Sequence, residues 1–170
     1  QKAGFEVEKV VLDPILNYLN NRLRNRETIL YYYNQTEQKK IAPKEVAYTL
    51  YVLALAGKPN VSVMNYYKAN PQLLSLDSKY LLSVSYAIAG DKQKFKEILP
   101  SAFTGEQSVR QTGGSYYSEI RDEAIALTSL LDADPSNAQI GLMAKHVSDK
   151  LKQSSWFSTQ ECAFSFIALG

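Results

Sequence analysis

Four apolar, helix-length segments recur along the chain, and a shorter, more polar segment precedes each of them. The apolar segments are Val46–Gly57, Tyr80–Gly90, Ala124–Ala133 and Glu161–Gly170. A helix that is apolar around most of its circumference has to be buried, whereas a helix with a polar face borders water. The alternation therefore predicts helical hairpins stacked side by side, with an inner layer of buried helices and an outer layer facing solvent.

The more polar segments are predicted to form the outer helices. These cover Val7–Arg24, Asn60–Asn70, Lys92–Leu99 and a stretch that reaches about Gln153. Residues 25–41 are less regular, and we interpret them as a frayed extension of the first helix or a long connection.

Short polar side chains mark the starts of several helices. Asp77, Asp91 and Ser118 are predicted N-caps, because their side chains can accept hydrogen bonds from free backbone N–H groups. The segments Ser136–Gln139 and Ser158–Glu161 each have the Ser-x-x-Gln/Glu pattern of a capping box.

The segment 100–117 interrupts the helical pattern. It contains Gly113 and Gly114 and has no helical period, so we interpret it as a long loop or a small β-hairpin. Loops of this length in compact domains are usually functional or contact another unit. Tyr116 and Tyr117 are accordingly predicted to contact another domain.

Length and composition indicate one folded domain, which the pattern of helix-length segments predicts to be all-α. The chain has 170 residues, of which 45% are hydrophobic and 21% charged, and its net charge is +2. The basic residues are scattered, which does not favour nucleic-acid binding, and no apolar stretch reaches the roughly 18 residues that span a membrane. The start at Gln1, without Met, predicts that the chain is a piece excised from a longer one.

The repeat spacing discriminates between helical architectures. The apolar segments end at Gly57, Gly90, Ala133 and Gly170, at intervals of 33, 43 and 37 residues. Tetratricopeptide arrays keep a period of 34. The irregular intervals favour an α/α toroid, in which hairpins close into a ring and loop lengths vary.

Residues able to support chemistry are few. His146 is predicted to be exposed on a polar outer helix, and Cys162 is predicted to act as a small apolar residue inside a buried helix. With one His, one Cys and no clustered ligands, we expect no metal site. We also expect no cofactor and no catalytic residue.

Acidic residues lie at helix ends. Glu119, Asp122 and Glu123 cluster where a helix starts, a position at which the helix dipole favours negative charge. Asp132 precedes Pro135 in what we interpret as a helix-ending turn.

Two segments resemble a known family. Trp156–Phe164, with Trp-Phe-Ser-Thr-Gln-Glu at its start, resembles the W-x-S-T-Q-E helix start of bacterial α2-macroglobulin-like proteins. Ala47–Gly57 is similar to the family's A-Y-x-L-Y-V-L-A-x-A-G helix. Ala3–Val7 and Arg121–Ala124 follow in the family's order, so the resemblance spans nearly the whole chain.

The resemblance implies the C-terminal part of a thioester domain, an α/α toroid within a very large protein. About four hairpins would form a partial ring here. Such proteins trap proteases in the bacterial periplasm or cell envelope, so the implied partners are neighbouring domains of the parent chain and, through the parent, target proteases. Neither nucleic acid nor direct membrane insertion is implied.

The family's covalent chemistry is not encoded in this chain. Thioester-bearing members join a Cys to the Gln three residues later, but here Ser165 occupies that position after Cys162. Thr104–Gln107 imitates the family's C-G-E-Q, with a hydroxyl in place of the sulfur that activates the acyl group. We therefore predict a structural, non-enzymatic role.

Two other readings remain open. A toroid enzyme, such as a terpene cyclase or glycosidase relative, requires paired carboxylates projecting into a central cavity. The inner helices offer mainly Glu123, Asp132 and Glu161, all at helix ends. A helical-repeat scaffold for protein binding predicts an open superhelix with a concave face rich in exposed Tyr.

Overall fold

The computed structural model describes residues 7–34, 36–110, 117–153 and 155–170. These residues form helices and one small antiparallel hairpin, which confirms the all-α prediction. In chain order the α-helices and strands are α1 Lys9–Arg22, β1 Ile29–Tyr33, β2 Glu37–Ile41, α2 Lys44–Leu55, α3 Val61–Ala69, α4 Leu76–Ile88, α5 Lys92–Ile98, α6 Glu119–Ala133, α7 Ile140–Gln153 and α8 Thr159–Leu169. A short 3-10 helix, Pro71–Leu73, precedes α4.

The four predicted apolar segments form α2, α4, α6 and α8, which we call the inner helices. They pack consecutively, α2 on α4, α4 on α6 and α6 on α8, while α1, α3, α5 and α7 pack against them from outside. The first three are buried on most of their surface, so the predicted inner layer is confirmed for them. Their buried side chains include Leu50, Leu53, Leu81, Leu82, Val84, Leu127 and Leu130.

Helix α8 departs from the predicted burial. Its inward face presents Glu161, Ser165 and Ala168, but Phe166 is 80% exposed and Ile167 is 60% exposed. The prediction that the whole segment 163–169 lies in the interior is therefore wrong for this chain. The physical reason is that α8 contacts α6 and α7 on one side, and the described residues leave its other face to solvent.

The hairpin lies at residues 29–41, where we expected a frayed extension or a long connection. β1 and β2 pair antiparallel, with Ile29 opposite Ile41 and Tyr33 opposite Glu37. The β-branched and aromatic residues of β1 favour a strand, and the side chain of Tyr31 is buried on one face while Leu30 and Tyr32 are exposed. This alternation is the strand signal that we did not recognise.

Residues 101–110 form an irregular loop, which is the first of the two structures predicted for the segment 100–117. Residues 111–116 lie outside the described residues. Ser108 forms an isolated antiparallel bridge with Tyr33. The loop therefore lies beside the hairpin.

Three of the predicted helix starts are confirmed. Asp91 accepts a hydrogen bond from the N–H of Lys94 at 3.0 Å, and Ser118 accepts one from Arg121 at 3.0 Å. At the start of α8, Ser158 and Glu161 form the reciprocal capping box.

Two predicted caps are wrong. Ser75 occupies the N-cap position of α4, and Asp77 is the second residue of the helix, where its carboxylate pairs with Lys44. Ser136 does not cap α7, because the helix begins only at Ile140; the Ser136 hydroxyl donates to Asp134 at 3.1 Å instead. The Asp77 carboxylate thus bonds a residue distant in sequence, whereas the Ser136 hydroxyl bonds a neighbour in the turn that precedes α7.

Among the described helices, none combines the length and the apolar character that a membrane-spanning helix needs.

Candidate functional site

A buried ionic cluster lies where the inner helices start. Lys44 is the first residue of α2, Asp77 the second residue of α4 and Asp122 the fourth of α6. The Lys44 ammonium lies 3.0 Å from Oδ1 of Asp77, and it also pairs with Asp122. All three side chains are at most 4% exposed, so charged atoms of three helices meet in a site that water barely reaches.

A second cation completes the charge balance. The guanidinium of Arg121 donates to Oδ1 of Asp122 at 2.7 Å and to Oε1 of Gln160 at 3.0 Å. Because Gln160 belongs to α8, Arg121 extends the cluster from α6 to the fourth inner helix. Two cations face two carboxylates, and the burial cost of each charge is offset by its partners.

Aromatic rings and a loop hydroxyl enclose Lys44. Its ammonium lies 4.5 Å from the ring centroid of Tyr31 and 5.0 Å from that of Tyr117. It donates to Oγ of Ser108 at 3.0 Å, and Ser108 donates in turn to Asp122. The cluster therefore joins the hairpin and the 101–110 loop to the inner helices.

The electrostatics of the cluster keep Lys44 protonated. Burial would lower the pKa of Lys44, but the charges of Asp77 and Asp122 outweigh it and raise the pKa above its ordinary value. Burial raises the pKa of Asp77. For Asp122 the same burial is outweighed by Lys44 and Arg121, which lower its pKa. The two ion pairs therefore favour the protonated form of Lys44.

A pocket of about 500 Å³ opens beside the cluster. Its apolar side is formed by Tyr48, Leu81, Ile125 and Phe164. The polar side is formed by members of the cluster and its neighbours, namely Lys44, Glu45, Asp77, Tyr117, Arg121 and Gln160.

The structure describes one of the two tyrosines that are predicted to contact another domain. Tyr116 lies outside the described residues. Tyr117 is 6% exposed and packs edge-on against Tyr31 with centroids 6.1 Å apart. Its interdomain role stays a prediction, since the contacts seen here are within the chain.

The three carboxylates considered for a toroid enzyme each bond different side chains. Glu123 is fully buried and pairs with His146 at 3.1 Å and Lys150 at 2.7 Å, both on α7. Asp132 accepts a hydrogen bond from Tyr51, and Glu161 pairs with Arg110 at 2.6 Å. The structure therefore does not bring these three carboxylates together around one cavity.

Cys162 and His146 also differ from their predicted settings. Cys162 is exposed on the outer face of α8, so the prediction of a buried, small apolar residue is wrong. His146 lies on an outer helix as predicted, but its side chain is only 35% exposed because it contacts Glu123. In the described ranges, no three His, Cys, Asp or Glu side chains are grouped in a way that could hold a metal ion.

Sequence reasoning did not anticipate Lys44, Arg121 or Ser108 as members of one cluster. One local signal was present: Lys44 follows Pro43 and begins an apolar segment, where a charge needs a buried partner. The identity of that partner depends on tertiary packing and could not be read from the sequence.

The fold is that of an α/α toroid-type segment built from helical hairpins. The structure is similar to that of Salmonella alpha-2-macroglobulin reacted with methylamine, at 22% identity and a TM-score of 0.75 over 99% of this chain and 11% of that one. It is also similar to trypsin-activated alpha-2-macroglobulin from Escherichia coli, at 18% identity and a TM-score of 0.74 over 98% of this chain and 11% of that one.

A shorter native Escherichia coli alpha-2-macroglobulin structure, spanning domain MG7 to the C-terminus, has a TM-score of 0.71 at 18% identity. There the match covers 99% of this chain and 27% of that one. The chain thus spans about a tenth of the length of the first two relatives. These likenesses establish the fold that the sequence resemblance implied.

Sequence comparisons add nothing further. No family model matches the chain, and no curated protein matches it significantly.

Proposed function

We propose that this chain is a structural segment of the thioester-domain toroid of an α2-macroglobulin-like protease inhibitor. The observation that carries the proposal is the fold match over 98–99% of the chain to bacterial alpha-2-macroglobulin structures. These matches span only 11–27% of the relatives' chains, as expected for one segment of a multidomain parent.

The proposed role is to pack against neighbouring domains and to hold or shield a thioester that other residues of the parent supply. The chain has no Cys followed three residues later by Gln, so it performs no covalent step. The charge-balanced cluster around Lys44 supports this role, because paired, buried charges fix the relative positions of the inner helices rather than supply a free base. We further propose that the parent acts in the bacterial periplasm or cell envelope.

The proposal is tested on the full-length parent by methylamine treatment. The amine nitrogen attacks the thioester carbonyl, an amide forms, the carbon–sulfur bond breaks and one thiol is released. We expect one additional titratable thiol per parent chain after methylamine, and covalent adducts with trypsin after proteolytic activation.

A Cys162→Ala variant of the parent is the matched control, because Cys162 is the one cysteine of this sequence. The variant should release the same additional thiol as the unmodified parent. Failure of the parent to release a thiol or retain trypsin would contradict the proposal. Loss of the thiol in the variant would assign the chemistry to this chain instead.

A further inference from the structure

Residues 106–110 run in an extended course along the hairpin. The N–H of Asn34 donates to the carbonyl of Gln107 at 3.0 Å, and the N–H of Val109 donates to the carbonyl of Tyr32 at 3.4 Å. Side chains alternate between two faces in such a segment. Those of residues 106, 108 and 110 therefore share a face, and this face is turned toward the inner helices.

Together these three side chains contact the starts of all four inner helices. Glu106 accepts a hydrogen bond from the N–H of Leu76, the first residue of α4, at 2.9 Å. Arg110 pairs with Glu161 of α8 at 2.6 Å. Ser108, between them, bonds the Lys44–Asp122 pair that joins α2 to α6.

These contacts provide hydrogen-bond and ion-pair partners for groups at the starts of the helices. Asp77 does not cap α4, and Glu106 satisfies an N–H group there from a distant position in the sequence. The Glu161 side chain is 2% exposed. Without Arg110, the start of α8 would retain a nearly buried carboxylate that keeps the hydrogen bonds of its own capping box and of Ser118 but loses this ion pair. Removing a partner from a buried charge is strongly unfavourable.

We propose that residues 106–110 form a latch that engages the starts of all four inner helices and opens as one unit. The extended backbone, held to β1, keeps the three side chains in register, so displacing the strand breaks all three contacts and exposes the Lys44–Asp122 pair to water. The latch also couples the hairpin to the inner helices. This inference stands independently of the proposed function.

Hydrogen exchange followed by mass spectrometry tests the latch on the intact polypeptide that carries these residues. The Arg110→Gln variant removes the ion pair at one end. If the latch opens as a unit, hydrogen exchange at the far end, at the start of α4, should accelerate about tenfold or more. A hydrogen bond to a charged group stabilises the closed state by at least that factor in the opening equilibrium. The reciprocal variant, Glu106→Gln, should accelerate exchange at the start of α8.

The matched control is Lys58→Gln, which also removes one positive charge and one ion pair. Lys58 pairs with Asp13 at 2.7 Å on the surface, away from the latch contacts, so exchange at the starts of α4 and α8 should stay unchanged. Acceleration confined to the mutated end in both latch variants would overturn the proposal.

Faster exchange in α3 as well would show that a variant unfolds as a whole. In that case a measurement on the unmodified protein replaces the variants. Exchange is then followed in low concentrations of urea. Segments that open together share one opening free energy and one dependence on denaturant. The starts of α4 and α8 should share both values with residues 106–110, and different values would overturn the latch.

Discussion

The ammonium of Lys44 and the carboxylate of Asp77 lie 3.0 Å apart, with each side chain 4% exposed. Lys44 begins α2 and Asp77 lies in the first turn of α4, so the pair fixes the starts of two helices that pack together. Buried charges of this kind give little net stability while paired, but they are costly when one partner is lost.

Replacing Lys44 should destabilise the chain strongly. In the Lys44→Met variant, Asp77 loses the ammonium group that pairs with it. Asp122 loses the same ammonium group and keeps its ion pair with Arg121. We expect the free energy of unfolding, measured by urea denaturation, to fall by about 3–5 kcal/mol.

The comparison variant is Lys58→Met, which breaks a pair whose side chains are 54% and 50% exposed. Solvent screens such pairs, so the loss of stability should be much smaller than in Lys44→Met. Equal effects of the two substitutions would show that the Lys44 cluster is not buried in solution.

Glu161 should make the start of α8 sensitive to acid. Burial alone would raise its pKa, but hydrogen bonds from the backbone of Ser158 and from Arg110 outweigh it and lower the pKa below its ordinary value. The contribution of Glu161 to stability is thus complete above the pKa of the unfolded chain, and it is lost as pH falls through the folded-state pKa.

The measurement is urea unfolding of the unmodified chain and of Glu161→Gln between pH 7 and pH 3. The stability difference between them should be largest at pH 7 and should shrink below about pH 4. The control variant is Glu27→Gln, at an exposed carboxylate that accepts from Asn25. If the stability difference between the unmodified chain and Glu161→Gln did not vary with pH, the lowered pKa of Glu161 would be contradicted.

The helices were predictable from sequence because their signals are local. Periodic apolar residues and Gly57 and Gly90, which adopt positive φ after α2 and α4, specify where helices form and end. The partners of Lys44 were not predictable, since Asp77 and Asp122 come close only after the inner helices pack. The exposure of Phe166 was missed for a related reason: apolar character predicts that a face is buried but does not identify the surface that buries it.

The capping box of α8 allows a direct comparison with a predicted box that did not form. Ser158→Ala removes the acceptor of the Glu161 N–H, which lies 3.2 Å from Ser158 Oγ. The expected loss is about 1 kcal/mol. Ser136→Ala removes an exposed hydroxyl that bonds Asp134, and its effect should remain within about 0.5 kcal/mol. A larger effect at Ser136 than at Ser158 would reverse the assignment of the two caps.

The exposed face of α8 connects the structure to the proposed function. Phe166 is 80% exposed, whereas Leu130 of α6 is fully buried. In the 170-residue chain, Phe166→Ser should change the free energy of unfolding by no more than about 0.5 kcal/mol, while Leu130→Ala should lower it by about 2–5 kcal/mol.

Within the full-length parent, the same Phe166→Ser substitution should have a different effect. If this chain packs there against further residues, the phenyl ring becomes buried, and the substitution should lower the thermal unfolding temperature of the parent. Lys152→Ser on α7, whose side chain is 75% exposed, provides the control for a surface change. An unaltered parent unfolding temperature with Phe166→Ser would mean that this face of α8 stays in water, and the packing role proposed for it would have to be abandoned.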